Sequence, residues 1–393
     1  MKIGQVNLKI INDSRKEPTL EAELVVDGVQ GAASVPSGKS KGSNEVFVLD
    51  PQAVIQKLDE IKPKLIRDFN SLEEFDQFLI QLDGTPKKEN LGGNLILALS
   101  IAFVRAWAKL QNLETFQLIS KISKQETKLP LCFFNLIEGG VHAENSLPFQ
   151  EYLFIPQTNS PKESLNMVGE FIKALAEYEH EEFGKLKMGD EGGFTVPSKD
   201  PEIGLRILQE VMGKITGNAK SGLDIAASTF LENDSYNVSG KIMDRDDLIS
   251  YYQLLAVNYQ LLSIEDPFAE NDWEGFEKIM TNLGEKVWIV GDDLTTTNVE
   301  SIKLAYERNA VNAVIIKPNQ IGSVTEAINA AVLAKSYGWK IIVSHRSGET
   351  MDNFIADFAA GLGADGLKSG CPLQQERLVK YRRLEEIEKI WRI

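Results

Sequence analysis

The sequence predicts an α/β chain in two parts: an N-terminal α+β domain over residues 1–125, followed by a C-terminal (β/α)8 barrel of the TIM type over residues 126–393. Three observations predict it. A few β-type runs open the chain and a block of helical patterning follows, as in a small α+β layer structure. A polar stretch, SKISKQETK at residues 120–128, runs up to Pro130 and breaks the apolar patterning as a domain boundary does. Beyond it, short apolar runs recur at the spacing of one strand plus one helix, and several deliver a charged side chain at their ends.

Residues 6–11, 21–26 and 46–49 carry the first β-type runs, and 21–26 alternates with period two. From Pro51 to Ser123 the pattern is helical, beginning with Leu58, Ile61, Leu65 and Ile66. The longest charge-free apolar stretch, 91–104, is interrupted by Asn94 and Ser100; it is too short to span a bilayer and reads as a buried core helix. The later runs are 152–155, 223–226, 261–264, 287–290, 313–316, 340–343 and 366–367. Glu265, Asp292, Lys317, His345 and Lys368 stand just past several of them, separated by 27, 25, 28 and 23 residues. A barrel gathers consecutive strand ends at one catalytic mouth, whereas the alternative, a doubly wound open sheet, binds ligands at one switch point.

Composition narrows the function. A chain of 393 residues, 43% hydrophobic and 25% charged, buries a large core and is neither disordered nor fibrous. Its net charge of −15 argues against nucleic acid and anionic membranes as partners. The two cysteines, Cys132 and Cys371, support neither a disulfide framework nor a thiolate metal cluster. No signal-like apolar segment opens the sequence, so a cytoplasmic location is expected. Two motif matches fail on context: GLGADG at 361–366 follows a helical stretch instead of a strand, and GKSKG at 38–42 precedes a β-type run instead of a helix.

Asp224, Glu265 and Asp292 are carboxylates at three strand ends. Buried together they would repel, and a hard divalent cation such as Mg²⁺ resolves the repulsion. Each could instead cap a helix or pair with a lysine. Lys317, in VIIKPNQIG, lies between an apolar strand and a Pro-Asn turn, where it can act as a general base or form a salt bridge. Asp190 and Glu191 precede a Gly-Gly pair, as in a catalytic loop or an ordinary acidic turn. His345, Arg346 and Ser347 suit a phosphate, His142 lies in GGVHAEN, and His180 reads as a surface residue.

These motifs resemble the enolase family. The likeness runs from DSRKEPTLEAEL to QQERLVKYRRL through NLIEGGVHAEN, FQEYLFIP, GDEGGF, SIEDPFAENDW, VGDDLTTTN, KPNQIGSVTEA and VSHRSGETMDNFIADFAAGL. The resemblance implies reversible dehydration of 2-phosphoglycerate to phosphoenolpyruvate. It implies Lys317 as the base at C2 and Glu191 as the acid at the C3 hydroxyl, with Glu151 assisting. Asp224, Glu265 and Asp292 would hold a first Mg²⁺, and Ser40 would help hold a second recruited with substrate. His142, Glu151, Ser344, His345, Arg346, Ser347 and Lys368 fall at substrate-contacting positions, and a homodimer or higher homo-oligomer is expected. Alternatives are a related dehydratase acting on another hydroxy acid and a catalytically silent interaction protein.

Three departures stand out. The loop usual as SGASTG reads SGKSKG, DSRGNP reads DSRKEP, and NGGSHAGN reads EGGVHAEN, which puts Glu138, Val141 and Glu144 around His142. A lysine head 4 Å from a second cation would be repelled by about 4 kcal/mol in a partly screened site. Lys39 and Lys41 are therefore expected to point outward or toward the substrate phosphate.

Overall fold

The computed structural model describes residues 1–39, 42, 44–143, 147–184, 187–215 and 217–392. Strands β1 (Ile3–Asn12), β2 (Pro18–Val26) and β3 (Val29–Ser34) form an antiparallel sheet in that order. Helices α1 (Pro51–Leu65), α2 (Leu72–Asp83), α3 (Gly93–Leu110) and α4 (Thr115–Ser123) follow. Alternation works as the pattern requires: Leu20, Ala22, Leu24 and Val26 of β2 are all buried, and β2 and β3 pack on α3. Asp50 and Ser71 cap α1 and α2 by accepting the N–H groups of Gln52, Ala53 and Glu74. Helix α3 is long and apolar enough to cross a membrane, but 78% of it is buried among the other elements, as the interruptions at Asn94 and Ser100 suggested.

The third strand departs from the sequence reading, which placed it at 46–49. Val46 and Phe47 are instead tied to loops: the N–H of Val46 donates to Gln320 O, and that of Phe47 to Lys87 O. The real third strand, VQGAAS, is built of small residues that carry little β signal. Its Gly31 is required by close approach, since a Cβ there would lie 2.7 Å from the Ala106 nitrogen of α3.

The remainder of the chain runs β4 (Leu131–Glu138), β5 (Glu151–Pro156), α5 (Pro161–Phe183), β6 (Lys187–Met188), β7 (Phe194–Thr195), α6 (Ile203–Met212) and β8 (Ala219–Asp224). A small sheet of β9 (Leu231–Glu232), β10 (Ser235–Val238) and β11 (Lys241–Met243) precedes α7 (Arg245–Asn258). Then come β12 (Leu261–Glu265), α8 (Trp273–Leu283), β13 (Trp288–Gly291), α9 (Val299–Glu307), β14 (Ala313–Ile316) and α10 (Pro318–Ile321). The chain continues through α11 (Val324–Ser336), β15 (Lys340–Ser344), α12 (Phe354–Leu362), β16 (Gly366–Lys368) and α13 (Gln375–Trp391).

Strands β4, β5, β8 and β12 to β16 pair in sequence order, and β16 pairs with β4 to close the barrel. Phe133, Leu153, Ile155, Val290, Ala313, Ile315 and Ile342 fill its interior. One strand breaks the uniform βα rhythm: β5 is antiparallel to both β4 and β8. Among its described residues the connection between β4 and β5 holds only a three-residue 3₁₀ turn, Gly140–His142; so short a connection has no room for a crossover helix, and the next strand reverses. An antiparallel strand presents its first residue at the mouth, which is how Glu151 reaches it. Register then aligns Glu138 with Glu151, Glu151 with Asp224, and Asp224 with Glu265 in one row across the mouth.

Candidate active site

The row of strand-end carboxylates closes around a lysine. Lys368, the last residue of β16, is fully buried, and its Nζ lies 2.8 Å from Glu265 and 3.2 Å from both Asp224 and Glu151. Burial disfavours the ammonium, but Glu151, Glu265 and Asp224 overcome that effect and hold its pKa well above the ordinary lysine value. Burial, with Asp224 adding, pushes Glu265 up to about 8.

Lys317 stands two strand ends over, at the N-cap of α10, where Pro318 starts the helix. Its N–H donates to Thr297 Oγ1 at 2.9 Å and its Nζ pairs with Asp292, whose other oxygen accepts from Gln320 Nε2 at 3.0 Å. Asp266 accepts the backbone N–H groups of Asp292 and Asp293, one on each oxygen at 2.9 Å, and so fixes where those two side chains point. Both readings of the carboxylates left open by the sequence are thus present in one place: Asp224, Glu265 and Asp292 converge, and lysines hold them. Glu151, Glu191, Asp224, Glu265, Asp266, Asp292 and Asp293 still outnumber the neighbouring cations Lys317, Lys368 and Arg346. A carboxylate-rich, oxygen-only donor set of this kind fits a hard divalent cation. Ser40, expected at a second cation, lies outside the described residues, as do Lys41 and Glu144.

Glu191 sits against the end of β4. His345 Nε2 lies 3.2 Å from its Oε2, His142 Nδ1 lies 3.6 Å from its Oε1, and Asn135 Nδ2 donates to it at 3.1 Å. Glu151 is close enough for one of its oxygens, one of Glu191's and a His142 nitrogen to lie within 4.8 Å of one another. Burial and the charge of Glu191 raise Glu151 well above the carboxylate range. Burial works to raise Glu191 too, but its contacts with His345 and His142 overcome it and hold it low. The pair therefore keeps one proton, on Glu151. Burial pushes His345 down to about 4, so its ring is neutral. Arg377 Nη1 lies 2.6 Å from His345 Nδ1, and because a guanidinium can only donate, Nε2 carries the ring hydrogen toward Glu191.

The remaining wall is basic and hydroxylic. Arg346 is buried and forms a two-pronged pair with Glu45, at 2.8 and 3.1 Å. Gly38 leaves room for this guanidinium, since a Cβ there would lie 2.6 Å from Arg346 Cζ and push it from its place. Ser347 Oγ accepts the N–H of Lys39 at 2.8 Å, and Ser344 Oγ donates to His345 O at 3.1 Å. His142, Glu151, Glu191, Asp224, Asp292, Lys317, Ser344, His345, Arg346, Ser347 and Lys368 all line one cavity, while Glu265 sits just behind it on Lys368.

Lys39 points outward, as expected, and finds partners at the surface: its Nζ donates to Val141 O at 2.9 Å and pairs with Asp190 at 3.0 Å. The acidic side chain next to Glu191 was the nearer counter-charge. With 47% of the lysine and 27% of the aspartate side chain exposed, such a pair contributes about 0.2–1 kcal/mol. Lys39→Ala is therefore expected to leave kcat within about tenfold of the parent, with KM less sensitive to salt. Steady-state rates at two ionic strengths check this, and a hundredfold loss of kcat would refute it.

Sequence reasoning missed Glu45, Asn135, Gln150, Asp266, Asp293, Gln320 and Arg377. Gln320, Asp266 and Asp293 lay inside quoted motifs, one to three residues from a named site residue, which is the signal that could have found them. Gln150 donates to Asp224 at 3.1 Å and adjoins Glu151. Arg377 lay inside the quoted QQERLVKYRRL but far from any named site residue, and Glu45 lay outside every quoted motif.

Comparison with known proteins agrees with the geometry. Residues 3–119 match the family model of the enolase N-terminal domain, and residues 126–391 that of the enolase C-terminal TIM barrel domain. Enolase of Methanopyrus kandleri is 40% identical over 410 residues, covering 99% of this chain and 96% of its own length. Enolase of Pyrococcus furiosus is 38% identical over 408 residues, covering 98% of this chain and 94% of its own length. Enolase of Sulfurisphaera tokodaii is 40% identical over 393 residues, covering 96% of this chain and 93% of its own length. The chain belongs to the enolase family.

Proposed function

We propose that this cavity carries the enolase reaction, the reversible dehydration of 2-phosphoglycerate to phosphoenolpyruvate, with Lys317 as base and Glu191 as acid. The activity is that of a hydro-lyase, phosphopyruvate hydratase, as the family relationship gives it. One observation carries the assignment of roles. Lys317 follows β14 and Glu191 sits against β4, strands separated in the ring by β15 and β16, so a base and an acid face one cavity with carboxylates and Lys368 between them.

Lys317 removes the proton from C2. The electron pair left behind forms the C2–C3 double bond as the C3–O bond breaks, and the one proton that the pair holds, resting on Glu151, passes by way of Glu191 to the departing C3 oxygen so that water leaves. Resting Lys317 is protonated, because Asp292 raises its pKa against the effect of burial. With Asp292 engaged as a ligand, Lys317 would face Arg346 and Lys368, whose charges, with burial, favour its neutral form against the pull of Glu265. Asp224, Glu265 and Asp292 would hold a Mg²⁺ ion, which supplies positive charge against the dianion that develops on the substrate carboxylate. Lys368 adds a fixed ammonium at the same end. A second Mg²⁺ near Ser40 belongs to the same reading, as do a homodimer and a cytoplasmic location.

Arg346 and Ser347 support a phosphorylated substrate: Glu45 orients the guanidinium, and a hydroxy acid without a phosphate would leave it without its second anionic partner. Purified protein with Mg²⁺ is expected to dehydrate 2-phosphoglycerate and to leave unphosphorylated glycerate untouched. Comparable turnover of glycerate would overturn the substrate assignment. A monomer mass in light scattering at micromolar concentration would overturn the dimer.

A further inference from the structure

Glu138 is the last residue of β4, in register with Glu151 of β5 and Thr195 of β7. It is fully buried, yet it does not line the cavity. Its carboxylate turns to the 189–193 loop instead. Oε1 accepts the N–H of Gly193 at 2.5 Å, and Oε2 accepts the N–H of Glu191 at 3.2 Å.

The loop is shaped around that carboxylate. Its ends are joined by the N–H of Gly189 donating to Gly193 O at 2.9 Å, and the N–H of Gly192 donates to Gly189 O at 3.2 Å. Gly192 has φ +84°, in the left-handed region, and both Gly189 and Gly193 press on the Glu138 side chain. A Cβ at Gly193 would stand 2.9 Å from Oε1. Backbone N–H groups converging in this way make a concavity for an acceptor, and here the acceptor is the protein's own carboxyl group. The glycines of GDEGGF are thus explained by the group they enclose.

We propose that Glu138 is the positioning residue of the proton-delivering loop: by accepting the N–H groups of Glu191 and Gly193, it fixes the backbone from which Glu191 reaches His142, His345 and the substrate. The inference rests on the reading of Glu191 as the acid. Its consequence is selective. Lys317 is carried by β14 and held by Thr297 and Asp292, so a shift of the 189–193 loop leaves the proton-abstracting side of the cavity in place. A displacement of about 1 Å at the acid costs roughly a hundredfold in the step it serves.

Two rates are measured on the full-length protein with Mg²⁺ and 2-phosphoglycerate: exchange of the C2 proton with solvent deuterium, and formation of phosphoenolpyruvate. Glu138→Gln keeps the side-chain volume but sets an NH2 group against a backbone N–H. It is expected to lower dehydration at saturating substrate by about tenfold or more while C2 exchange and KM stay within about threefold. Gly193→Ala presses on the same carboxylate from the other side and is expected to give the same split, which keeps the test open if Glu138→Gln does not fold. Undiminished dehydration in a folded variant, or equal loss of both rates, would overturn the role. Glu191→Gln is the control: if it fails to separate the two rates, the acid assignment itself falls. If it separates them and neither Glu138→Gln nor Gly193→Ala does, the positioning role alone falls.

Discussion

Replacing Lys317 by alanine abolishes C2 proton exchange and lowers turnover by about 10³-fold or more, some 4 kcal/mol of barrier, while 2-phosphoglycerate still binds. The asymmetry follows from where the side chain acts. A base contributes in the transition state, so its loss falls on kcat more than on ground-state affinity. Among the described residues no neighbouring cation can substitute: Lys368 is surrounded by Glu151, Asp224 and Glu265, and the guanidinium of Arg346 is fixed on Glu45. Exchange of the C2 proton in deuterated solvent reads the step directly. Exchange at the parent rate in Lys317→Ala would remove Lys317 from the role.

Asp292→Asn is expected to lose turnover by about a hundredfold or more together with most of the thermal stabilisation conferred by Mg²⁺. Asparagine is nearly isosteric, and the groups that position residue 292, namely the Asp266 carboxylate and Gln320, remain in place. What changes is one negative charge among the oxygens facing the cation and the counter-charge of Lys317. A site filled at a hundred times its dissociation constant stabilises the fold by about 2.7 kcal/mol, and a variant that binds a hundredfold more weakly retains only about 0.4 kcal/mol at the same Mg²⁺ concentration. Melting curves with and without Mg²⁺ decide it. An undiminished shift in Asp292→Asn would count against Asp292 as a ligand.

Much of this site was legible because a barrel converts sequence spacing into spatial convergence. Glu265, Asp292, Lys317, His345 and Lys368 recur at βα intervals, and the closed ring brings them to one mouth. Glu151 was reached through the motif FQEYLF, not through spacing, because β5 runs against its neighbours and offers its first residue instead of its last. Strand β4 was absent from the spacing analysis for a related reason: LCFFNLIE is interrupted by Asn135, ends on Glu138 and is joined to β5 by too short a connection for the βα interval. The third strand of the N-terminal sheet is made of small residues whose fitness for a strand depends on the α3 backbone lying against them. Pairings between distant positions left no trace at all. Glu45 meets Arg346 across 301 positions, and Arg377 meets His345 across 32 from a helix whose sequence reads as surface. The choice between a lysine and a cation as partner of the strand-end carboxylates could not be made from residue types, since both answers use the same residues.

The most direct test is the absorbance of phosphoenolpyruvate formed from 2-phosphoglycerate by the purified protein, with Mg²⁺, with chelator, and with Mg²⁺ restored in excess. The site described here predicts product with Mg²⁺, none with chelator, recovery on restoring the ion, and none from Lys317→Ala under any condition. Product formation that is indifferent to chelator, or that survives in Lys317→Ala, would contradict it.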